Sequence, residues 1–528
     1  MADGRRGARV RLRLVRGGGR PVIRLECSTF AYDGGPVVLS GVDLAVEPGG
    51  LVHVVGPSGS GKTTLARLLA GQTGAGSGAQ FRGALTLGGD RLGFTGGPAD
   101  PRIDPAAWSS TVAYAAQRTE GQLSMMSATV AEEIAFGPAN RGMPTGELRA
   151  AVQATAARLG LTDVLNRDPR RLSGGQLRRT IIAAAVVGNP RVLILDEPFQ
   201  GLDAGSRAEV ARTLEVLRAA GTALVICAPM LPGSVAPHSR VLALAGGRPV
   251  FDGTFAQART AGLERYAIGT EGSAPDLRRA PAAPAVPPRR QVQAGTPLAE
   301  LSGVSFSYRG ENSRRQEKVL RGVDLRVDPG DIVGLTGVNG SGKSTLLQHL
   351  NGLLRASSGT VTVAGQPLGR RTAVGRLAGA VGYLFQDTDQ QLFERTVLRE
   401  VAYGPAAAGA GRETAQERAR TALAAVGLGH TAGEHPYELG FVERRLVAFA
   451  SLIASGPAVW VLDEPTAGLD QRGRNRVGDL LLDHAAAGGA VVLATHDGAF
   501  ADALCTRILE LKDGRIFSGG ARRGAGGA

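Results

Sequence analysis

The sequence predicts an α/β protein that is built from two tandem domains, and three observations support this prediction. A short apolar run, a glycine-rich loop and a helix-like stretch follow one another over residues 51–70 and again over residues 332–350. The string VLSGVDLAVEPG at residues 38–49 returns as VLRGVDLRVDPG at 319–330, and VLILDEP at 192–198 returns as VWVLDEP at 459–465. The chain has 528 residues, which is enough for two domains that each bury a substantial core.

Composition divides the chain into five segments. Residues 1–20 are rich in Arg and Gly, and residues 270–297 are rich in Ala, Pro and Arg with almost no large apolar side chains. A segment of the second kind is typical of a semi-extended linker. We therefore expect a basic flexible arm at 1–20, a first domain at 21–269, a linker at 270–297, a second domain at 298–517 and a flexible tail at 518–528.

Each glycine-rich loop matches the P-loop pattern G-x-x-x-x-G-K-[ST], as GPSGSGKT at residues 56–63 and as GVNGSGKS at residues 337–344. Glycines let a strand-to-helix turn wrap a polyphosphate with its backbone N–H groups, and the helix dipole adds a favourable field. Lys62 or Lys343 would reach the β- and γ-phosphates, and the hydroxyl of Thr63 or Ser344 can ligate Mg²⁺. ATP and Mg²⁺ are therefore the predicted ligands. The predicted ATP-binding residues are Gly56, Pro57, Ser58, Gly59, Ser60, Gly61, Lys62, Thr63 and Thr64 in the first loop and Gly337, Asn339, Gly340, Ser341, Gly342, Lys343, Ser344 and Thr345 in the second.

Cysteine usage and hydropathy exclude several classes of protein. Cys27, Cys227 and Cys505 have no metal-ligand spacing and cannot form a disulfide framework, which indicates a reducing cytosol. No uninterrupted apolar run reaches the roughly 18 residues of a membrane span, and the N-terminal segment lacks the apolar core of a signal peptide. We therefore expect a chain that does not itself cross a membrane.

The net charge of +13 would suggest a nucleic-acid partner, but most of it lies outside the two domains. Residues 1–20 contain seven Arg and one Asp, residues 271–290 contain four Arg against Glu271 and Asp276, and Arg522 and Arg523 add two more charges. Solvated arms are the favoured interpretation, attraction to anionic lipids is the second and nucleic acid is the third. No nucleic-acid partner is expected.

The segments around each Asp-Glu-Pro string carry a family resemblance. Residues 172–179 read LSGGQLRR, residues 192–198 read VLILDEP, and Gly-Leu-Asp follows at 201–203. This order resembles the nucleotide-binding domain of ATP-binding-cassette (ABC) proteins, and the resemblance covers nearly the whole chain outside the arm, linker and tail. It implies two ABC-type P-loop NTPase domains, each with a mainly parallel sheet core and an inserted helical subdomain. Residues 145–161 and 412–428 have the helical periodicity that this insertion requires.

The resemblance also implies roles for two acidic pairs. Asp196 and Asp463 end apolar strands, where a carboxylate can hold Mg²⁺ through water. The adjacent Glu197 and Glu464 are expected to polarise the attacking water.

Two further pairs complete the implied sites. Gln117 and Gln386 would sense the γ-phosphate and Mg²⁺. Tyr32 and Tyr308 match the aromatic residue that stacks on adenine, and both are expected to precede the first strand of their domain. The alternative for the tyrosines is an ordinary core or rim position, because an aromatic near a strand end often packs there.

The second half departs from the family pattern in its signature segment. Aligned from the Asp-Glu strand, residues 440–443 read Gly-Phe-Val-Glu at the place of Ser-Gly-Gly-Gln in the first half. The bulky Phe441 and Val442 would block close backbone approach to a γ-phosphate, and Glu443 would repel it.

The first half departs at the switch histidine. Its strand at residues 223–227 ends in Ala228-Pro229, whereas the second half has Thr495-His496-Asp497 there, so we expect the missing histidine at Ala228.

In ABC proteins a nucleotide site is composite, because the P-loop of one domain faces the LSGGQ segment of the other in a head-to-tail pair. The resemblance therefore places both defects in the site of the first P-loop, where Glu197 remains as a weak base. We expect one hydrolytic and one nucleotide-holding site. The complete site would combine catalytic Glu464, His496 and Gln386 and the P-loop of Lys343 with Ser173, Gly174, Gly175 and Gln176. The Mg²⁺ ligands, partly through water, would be Ser344, Gln386 and Asp463 in this site and Thr63, Gln117 and Asp196 in the other.

The segments around Gln117 and Gln386 indicate which kind of ABC protein this chain resembles. Residues 381–405 read VGYLFQDTDQQLFERTVLREVAYGP, and residues 112–138 read VAYAAQRTEGQLSMMSATVAEEIAFGP. This pattern looks like the ATPases of energy-coupling-factor (ECF) importers of vitamins, vitamin precursors and transition metals. The resemblance implies a transmembrane coupling subunit and a substrate-specific membrane subunit as partners, and a peripheral location on the cytoplasmic face of the membrane. Leu392 and Phe393 are expected to face the coupling subunit, whereas Met125 and Met126 could face it or fill their own core.

Three alternatives stay open. A sugar-type importer ATPase shares the two-half layout but should lack the segment just described, and an ABC ATPase that acts on ribosomes usually has a longer charged linker. A non-enzymatic role conflicts with the complete second site. Residues 96–110 form an insertion in the first half, which we expect to be a surface loop between strands.

Overall fold

The computed structural model describes residues 21–72, 78–97, 99–117, 120–277, 296–308, 318–369, 377 and 379–519. The predicted arm at 1–20, most of the predicted linker and the end of the tail lie outside these residues, and the predicted domain boundaries stay predictions. The chain divides into two compact units. One runs to Phe199 and continues over Arg207–Glu271, and the other contains Gln200–Ser206 and the residues from Gly272 onward. Residues up to Glu271 are called the first half below, and residues from Gly272 the second half.

The strands of the first half form two sheets. One is antiparallel with the order β2-β1-β4-β5, and the other has the order β10-β9-β3-β8-β7-β6 and is parallel except for its edge strand β10. The strands are β1 (Ile23–Ala31), β2 (Val37–Val46), β3 (Leu51–Val55), β4 (Gln80–Leu87), β5 (Asp90–Thr95), β6 (Val112–Ala115), β7 (Val192–Asp196), β8 (Ala223–Ala228), β9 (Arg240–Ala245) and β10 (Arg248–Thr254). The helices are α1 (Lys62–Leu69), α2 (Pro105–Thr111), α3 (Val130–Asn140), α4 (Thr145–Arg158), α5 (Gly174–Val186), α6 (Ala204–Ala219) and α7 (Phe255–Ala258).

The second half repeats this arrangement. Its antiparallel sheet has the order β12-β11-β14-β15, and its larger sheet has the order β16-β17-β18-β13-β19-β20 with an antiparallel edge at β20. The strands are β11 (Ala299–Ser307), β12 (Lys318–Val327), β13 (Ile332–Thr336), β14 (Ser358–Val363), β15 (Gln366–Pro367), β16 (Val381–Leu384), β17 (Val459–Asp463), β18 (Ala490–Ala494), β19 (Arg507–Lys512) and β20 (Arg515–Gly519). The helices are α8 (Lys343–Leu350), α9 (Val397–Ala407), α10 (Arg412–Ala425), α11 (Phe441–Ser455), α12 (Gln471–Ala486) and α13 (Gly498–Leu504).

The predicted α/β class with a mainly parallel core is confirmed in both halves. Every residue of β7 and of β17 is buried, because one face packs in a core that the antiparallel sheet shares, and this explains why both strands read as continuous apolar runs. Helices α4 and α10 occupy the two segments that were predicted to be helical. The separate antiparallel sheet in each half was not predicted.

Two local expectations are wrong. Tyr32 and Tyr308 do not precede the first strands of their halves, because each tyrosine directly follows one, β1 or β11. The insertion at 96–110 is not simply a surface loop. Asp104 caps helix α2 by accepting from the Ala106 N–H, and Trp108 on that helix is 7% exposed. The Trp108 indole donates to the Leu69 carbonyl at 2.9 Å, so the insertion packs against the end of α1.

Each half contains one buried tryptophan. Trp460 lies on β17 of the second half, where its ring stacks on that of His484 at 4.0 Å between centroids. Within the residues described here, no helix combines the length and the apolarity that crossing a bilayer requires.

Candidate ATP sites

Each P-loop joins the end of a buried parallel strand to a helix through glycines that no other residue could replace. Gly61 and Gly342 precede α1 and α8 in the left-handed region, with φ of 94° and 103°. A Cβ on Gly56 would lie 2.3 Å from the Leu244 carbonyl oxygen, and one on Gly337 would lie 2.4 Å from that of Leu511. Both loops therefore have the tight turn that was predicted from the repeated motif.

The P-loop lysines have the same environment in both halves. The Lys62 ammonium donates to the carbonyls of Gly56 at 2.6 Å and Pro57 at 2.9 Å. The Lys343 ammonium donates to the carbonyls of Gly337 at 2.7 Å and Val338 at 3.1 Å. Each lysine is thus held within the concave side of its own loop.

A hydroxyl and a carboxylate meet at the start of each P-loop helix. Thr63 Oγ1 donates to Asp196 Oδ2 at 2.7 Å, and Ser344 makes the corresponding hydrogen bond with Asp463. Burial raises the pKa of both aspartates, and the hydrogen bonds from the hydroxyl groups oppose that rise. Among the residues that the structure describes, no group of three or more His, Cys, Asp or Glu side chains forms a metal cluster. A hydroxyl–carboxylate pair nevertheless offers the oxygen ligands that Mg²⁺ prefers, with water completing the coordination.

The predicted water-polarising glutamates follow β7 and β17 in one shared conformation. Glu197 and Glu464 have φ of 50° and 49°, in a region that side chains other than glycine rarely occupy. Their N–H groups donate to the carbonyls of Cys227 and Ala494 at 2.9 Å. Burial raises the pKa of each glutamate to about 7, so each carboxylate is a stronger base than an exposed one.

The strand register corrects the position of the missing histidine. Asp196 pairs with Cys227 and Asp463 pairs with Ala494. His496 lies two residues after Ala494, so its counterpart in the first half is Pro229 and not Ala228. The expected position at Ala228 is therefore wrong by one residue, because Ala228 is the counterpart of Thr495.

His496 connects the base to the P-loop of the second half. Its Nε2 lies 2.9 Å from Asn339 Oδ1 and 3.4 Å from Glu464 Oε1, and its N–H donates to Glu464 Oε2 at 3.2 Å. Asn339 was predicted only as a P-loop residue. The signal for its contact with histidine was present, since the first half has Ser58 at that loop position and no histidine. Proline at 229 supplies neither an imidazole nitrogen nor a backbone N–H.

The signature helices begin at equivalent positions but with different caps. Ser173 precedes α5, accepts from the Gln176 N–H, and is exposed with Gly174. Gly440 precedes α11 and has no side chain to offer, while the Glu443 carboxylate accepts from the Gly440 N–H at 2.8 Å. Val442 is only 8% exposed and joins the apolar core. The substitutions predicted to damage the second signature therefore lie at the helix N-terminus, and they include a negative charge there.

Two buried arginines beside the sites were missed by the sequence analysis. Arg178 donates to the carbonyls of Ala116 and Gln117 at 3.3 and 3.2 Å. Arg445, which is 1% exposed, donates to the carbonyls of Gln386 at 3.2 Å and Glu464 at 2.7 Å. Burial lowers the pKa of both guanidinium groups to about 10. Their equal spacing after Gln176 and Glu443 was the available signal, and their function is to tie each signature helix to the Gln segment.

The predicted Tyr pair contacts the P-loop helices, whereas the Gln117 side chain contacts Glu197 and the Gln386 side chain lies near Gly201. Gln117 makes a hydrogen bond with Glu197. Tyr32 and Tyr308 make hydrogen bonds with Thr64 and Thr345 at 3.1 Å, and they are 37% and 49% exposed. The tyrosines are therefore rim residues and not core residues, and adenine stacking stays a prediction.

The predicted partner-facing residues separate into exposed and buried members. Met125 and Met126 are 72% and 81% exposed, so they do not fill their own core. Phe393 is 61% exposed and contacts Tyr403 edge-to-face at 4.8 Å between ring centroids. Leu392 is only 3% exposed, so the expectation that it faces a partner is wrong. It packs in the apolar core of the second half instead.

Comparisons with known proteins agree with this geometry. The sequence pattern of the ABC transporter family matches residues 39–200 and 320–467, which together make up more than half of the chain. A Bifidobacterium longum protein named as an ABC transporter ATP-binding protein is 34% identical over 521 residues, which cover 93% of this chain and 65% of that protein. The chain thus spans slightly less than two thirds of that relative. A Streptomyces coelicolor protein with the same kind of name is 32% identical over 546 residues, covering 94% of each chain.

Solved structures of single domains match as well. CbiO1 from Clostridium perfringens, described as part of the ABC transporter complex CbiONQ, is 29% identical, with a TM-score of 0.38 over 42% of this chain and 87% of its own. The predicted resemblance to ABC proteins is confirmed by the family match over both halves. This chain belongs to the ABC transporter family and is a tandem ATP-binding protein of that family, with one ATPase domain in each half.

Proposed function

We propose that this protein is the ATP-hydrolysing subunit of an ECF-type importer, bound to the cytoplasmic face of the membrane, and that it hydrolyses ATP at one of two composite sites. The observation that carries the one-site proposal is the difference between His496 and Pro229 at the same strand register. In the second half, His496 Nε2 lies 2.9 Å from Oδ1 of the P-loop Asn339 and 3.4 Å from Oε1 of Glu464. The first half has no donor at that position.

Hydrolysis in the complete site rests on Glu464. With ATP on the Lys343 loop, Glu464 accepts a proton from the attacking water molecule. The oxygen of that water bonds to the γ-phosphorus, and the bond between this phosphorus and the bridging oxygen of ADP breaks. The raised pKa of Glu464, about 7, suits a group that must accept and release a proton near neutral pH. His496 holds this carboxylate and Asn339 in place and offers a donor toward the γ-phosphate.

The residues present fit Mg²⁺ in both sites. Ser344 and Asp463 would hold the ion with Gln386 in the complete site, and Thr63, Asp196 and Gln117 in the other. When bound, the ion would neutralise charge on the β- and γ-phosphates.

The signature segment assigned to the complete site is the one with a neutral cap, because Gln176 Oε1 accepts from the Ser173 N–H at 3.2 Å where the other half uses the Glu443 carboxylate. Ser173 and Gly174 are exposed at the start of α5, where N–H groups and the helix dipole favour an anion. The corresponding start of α11 carries the Glu443 carboxylate, which opposes a γ-phosphate. Head-to-tail pairing of the halves would therefore combine the Lys62 loop with the poorer signature, and that site would hold nucleotide with at most slow turnover from Glu197.

The transport part of the proposal rests on exposed apolar residues at equivalent places in the two halves. Phe393 and Tyr403 form one such pair, and the same segment of the first half contains Met126 and Phe136, which are 81% and 40% exposed. A groove of about 180 Å³ lies beside Met125 and Met126. Exposed apolar patches of this kind suit a helix from a membrane subunit. A separate substrate-specific subunit would select the vitamin, vitamin precursor or metal.

Membrane recruitment tests this surface. For full-length protein with Phe393→Asp and Tyr403→Asp, we expect the amount bound to membranes of the native host to fall at least several-fold below that of wild type. The affinity of this variant for ATP should be unchanged. Leu353→Asp, at an apolar residue that is 49% exposed elsewhere in the second half, is the matched control and should stay with membranes. An unchanged membrane fraction, or co-sedimentation with ribosomes, would contradict the importer proposal.

A further inference from the structure

The chain that leaves the first half packs on helix α12 of the second unit. Residues 272–277, here called the docking segment, belong to that unit. Asp276 donates its N–H to Asn475 Oδ1 at 3.0 Å, and Pro275 is buried. Leu277 lies over Gly478, because a Cβ on Gly478 would be 2.6 Å from Leu277 Cδ2. A glycine in the middle of α12 thus leaves the space that this leucine occupies.

The docking segment also contacts a buried arginine. Arg474 is 1% exposed and donates through Nη2 to the Ser273 carbonyl at 3.0 Å. Its Nε and Nη2 donate to the two carboxylate oxygens of Asp497 at 3.0 and 3.1 Å. The Arg474 guanidinium therefore connects the backbone of the docking segment to the carboxylate of Asp497.

Asp497 is the residue after His496. Its carboxylate also accepts from the Phe500 N–H at 3.1 Å and so caps α13. One continuous set of contacts runs from the docking segment through Arg474 and Asp497 to the backbone of the switch histidine. Charge-assisted hydrogen bonds from a buried guanidinium are strong, and leaving one of its donors without a partner is costly.

Helix α6 of the first half shows what α12 looks like without this arrangement. Arg207 occupies the position of Arg474, but it is about half exposed and pairs with Glu271 at 3.1 Å. Ala208 and Ala211 stand at the positions of Asn475 and Gly478, and both are exposed. Met230 stands at the position of Asp497. The half that contains His496 is thus also the half that contains Gly478, Asn475 and Asp497.

We propose that the docking segment is a positioning element for His496, acting through Arg474 and Asp497 to hold the switch loop in its catalytic arrangement. The proposal rests on the proposed function, since it assumes that hydrolysis takes place at the Lys343 loop. A displaced segment would open Arg474 to water and loosen Asp497. Errors of about 1 Å in a catalytic group can reduce a rate up to about 10²-fold.

The test uses the full-length protein with Leu277→Asp, which places a charge over the apolar Gly478 seat. Loss of hydrogen-exchange protection at the Asp276 amide reports displacement directly, because that amide donates to Asn475. We expect kcat for ATP to fall about tenfold with KM within about twofold of wild type. Ala211→Leu is the control, because Ala211 is exposed and stands at the position of α6 that is equivalent to Gly478. This variant should change neither kcat nor KM. Leu277→Ala is the milder variant if the aspartate prevents folding.

A double-mutant cycle separates positioning from general destabilisation. In a His496→Ala background, Leu277→Asp should have no further effect on the residual kcat, because the residue it positions is gone. An equal tenfold loss in both backgrounds, or an unchanged kcat after the Asp276 amide has lost protection, would overturn the inference. Glu464→Gln is measured alongside. If that variant retains hydrolysis the proposed function fails, whereas its inactivity combined with an unaffected Leu277→Asp variant refutes the positioning role alone.

Discussion

The loops that follow β8 and β18 begin with the same geometry and differ in chemistry. In both halves a glutamate with φ near 50° donates its N–H to the residue of the neighbouring strand that pairs with the preceding aspartate, and burial raises the pKa of the glutamate to about 7. Two residues beyond that paired residue, one half has His496 and the other has Pro229. Binding a nucleotide uses the loop backbone and a lysine, which both halves keep. Hydrolysis also needs side chains from separate segments, and these can be lost without disturbing the loop.

Removing the carboxylate from each half should give the largest difference between them. Glu464→Gln keeps the size of the side chain and removes the base, so we expect kcat to fall about 10²- to 10⁴-fold with ATP binding preserved. Glu197→Gln should cost far less. Steady-state hydrolysis of both purified variants is the measurement, and comparable losses would contradict the one-site assignment.

Ser173→Arg tests whether the first half serves the P-loop of the second. The bulky cation would fill the exposed start of α5, so hydrolysis should be lost as severely as in Lys343→Ala, while the affinity for nucleotide changes little. Gly440→Arg, at the equivalent helix start of the second half, is the control and should retain most turnover. If the two arginine variants exchange these phenotypes, the cross-assignment is wrong.

Repairing the weak site should narrow the difference by a smaller amount. In a Glu464→Gln background we expect Pro229→His, combined with Gly440→Ser, Phe441→Gly and Val442→Gly, to restore measurable ATP hydrolysis through Glu197. Restoring the signature alone should do little.

The register offers a control for this repair. Ala228→His in place of Pro229→His puts the histidine one residue out of line and should not rescue. A folded, nucleotide-binding repaired protein without hydrolysis would count against the composite site. Because Val442 lies in the core, its replacement is accompanied by a thermal melt.

Stability should show the smallest difference between the halves. Below pH 4.5 both glutamates are protonated in the folded and the unfolded chain. Between pH 4.5 and 7 the unfolded chain releases protons that the folded one keeps, so folded wild type loses stability as pH rises. Glu464→Gln and Glu197→Gln each remove one of the two carboxyl groups that titrate in this way. Each variant should therefore gain stability relative to wild type as the pH rises over this range.

The expected gain is on the order of 2–3 kcal/mol per glutamate at pH 8. Thermal unfolding at pH 4.5 and pH 8 measures it. A gain that is independent of pH would mean that the carboxylates are not desolvated as described. Similar gains with unequal catalytic losses would show that the two glutamates share an environment and differ in their partners.

Repeated motifs made the parallel core and both P-loops predictable, because glycine spacing and fully buried strands leave direct marks in sequence. The antiparallel sheets were missed even though their strands β2 and β12 carry one of the repeated strings, because that string marks a repeat and not the sheet to which a strand belongs. The histidine position was missed by one residue, although the sequence repeat that aligns Asp196 with Asp463 also aligns His496 with Pro229. Leu392 and Phe393 look alike in sequence, and only packing shows that one is core and the other surface.

Arg474 shows a further limit of sequence reasoning. Arginine occurs at this position in both halves, yet one is buried between a carboxylate and a chain segment about 200 residues away, and the other is a partly exposed ion pair. The difference comes from Gly478, which lies one turn further along the same helix, and from Asp497, which lies 23 residues after Arg474.

The two buried tryptophans make the halves separately visible in fluorescence. The chain contains two tryptophans in total. Trp108 lies on α2 and contacts the end of the first P-loop helix, and Trp460 lies on the strand that leads to Asp463 and Glu464. Trp108→Phe and Trp460→Phe would therefore give proteins that emit from one half each. Nucleotide titrations of the two proteins could then assign an affinity to each P-loop, and denaturant titrations could show whether the halves unfold together.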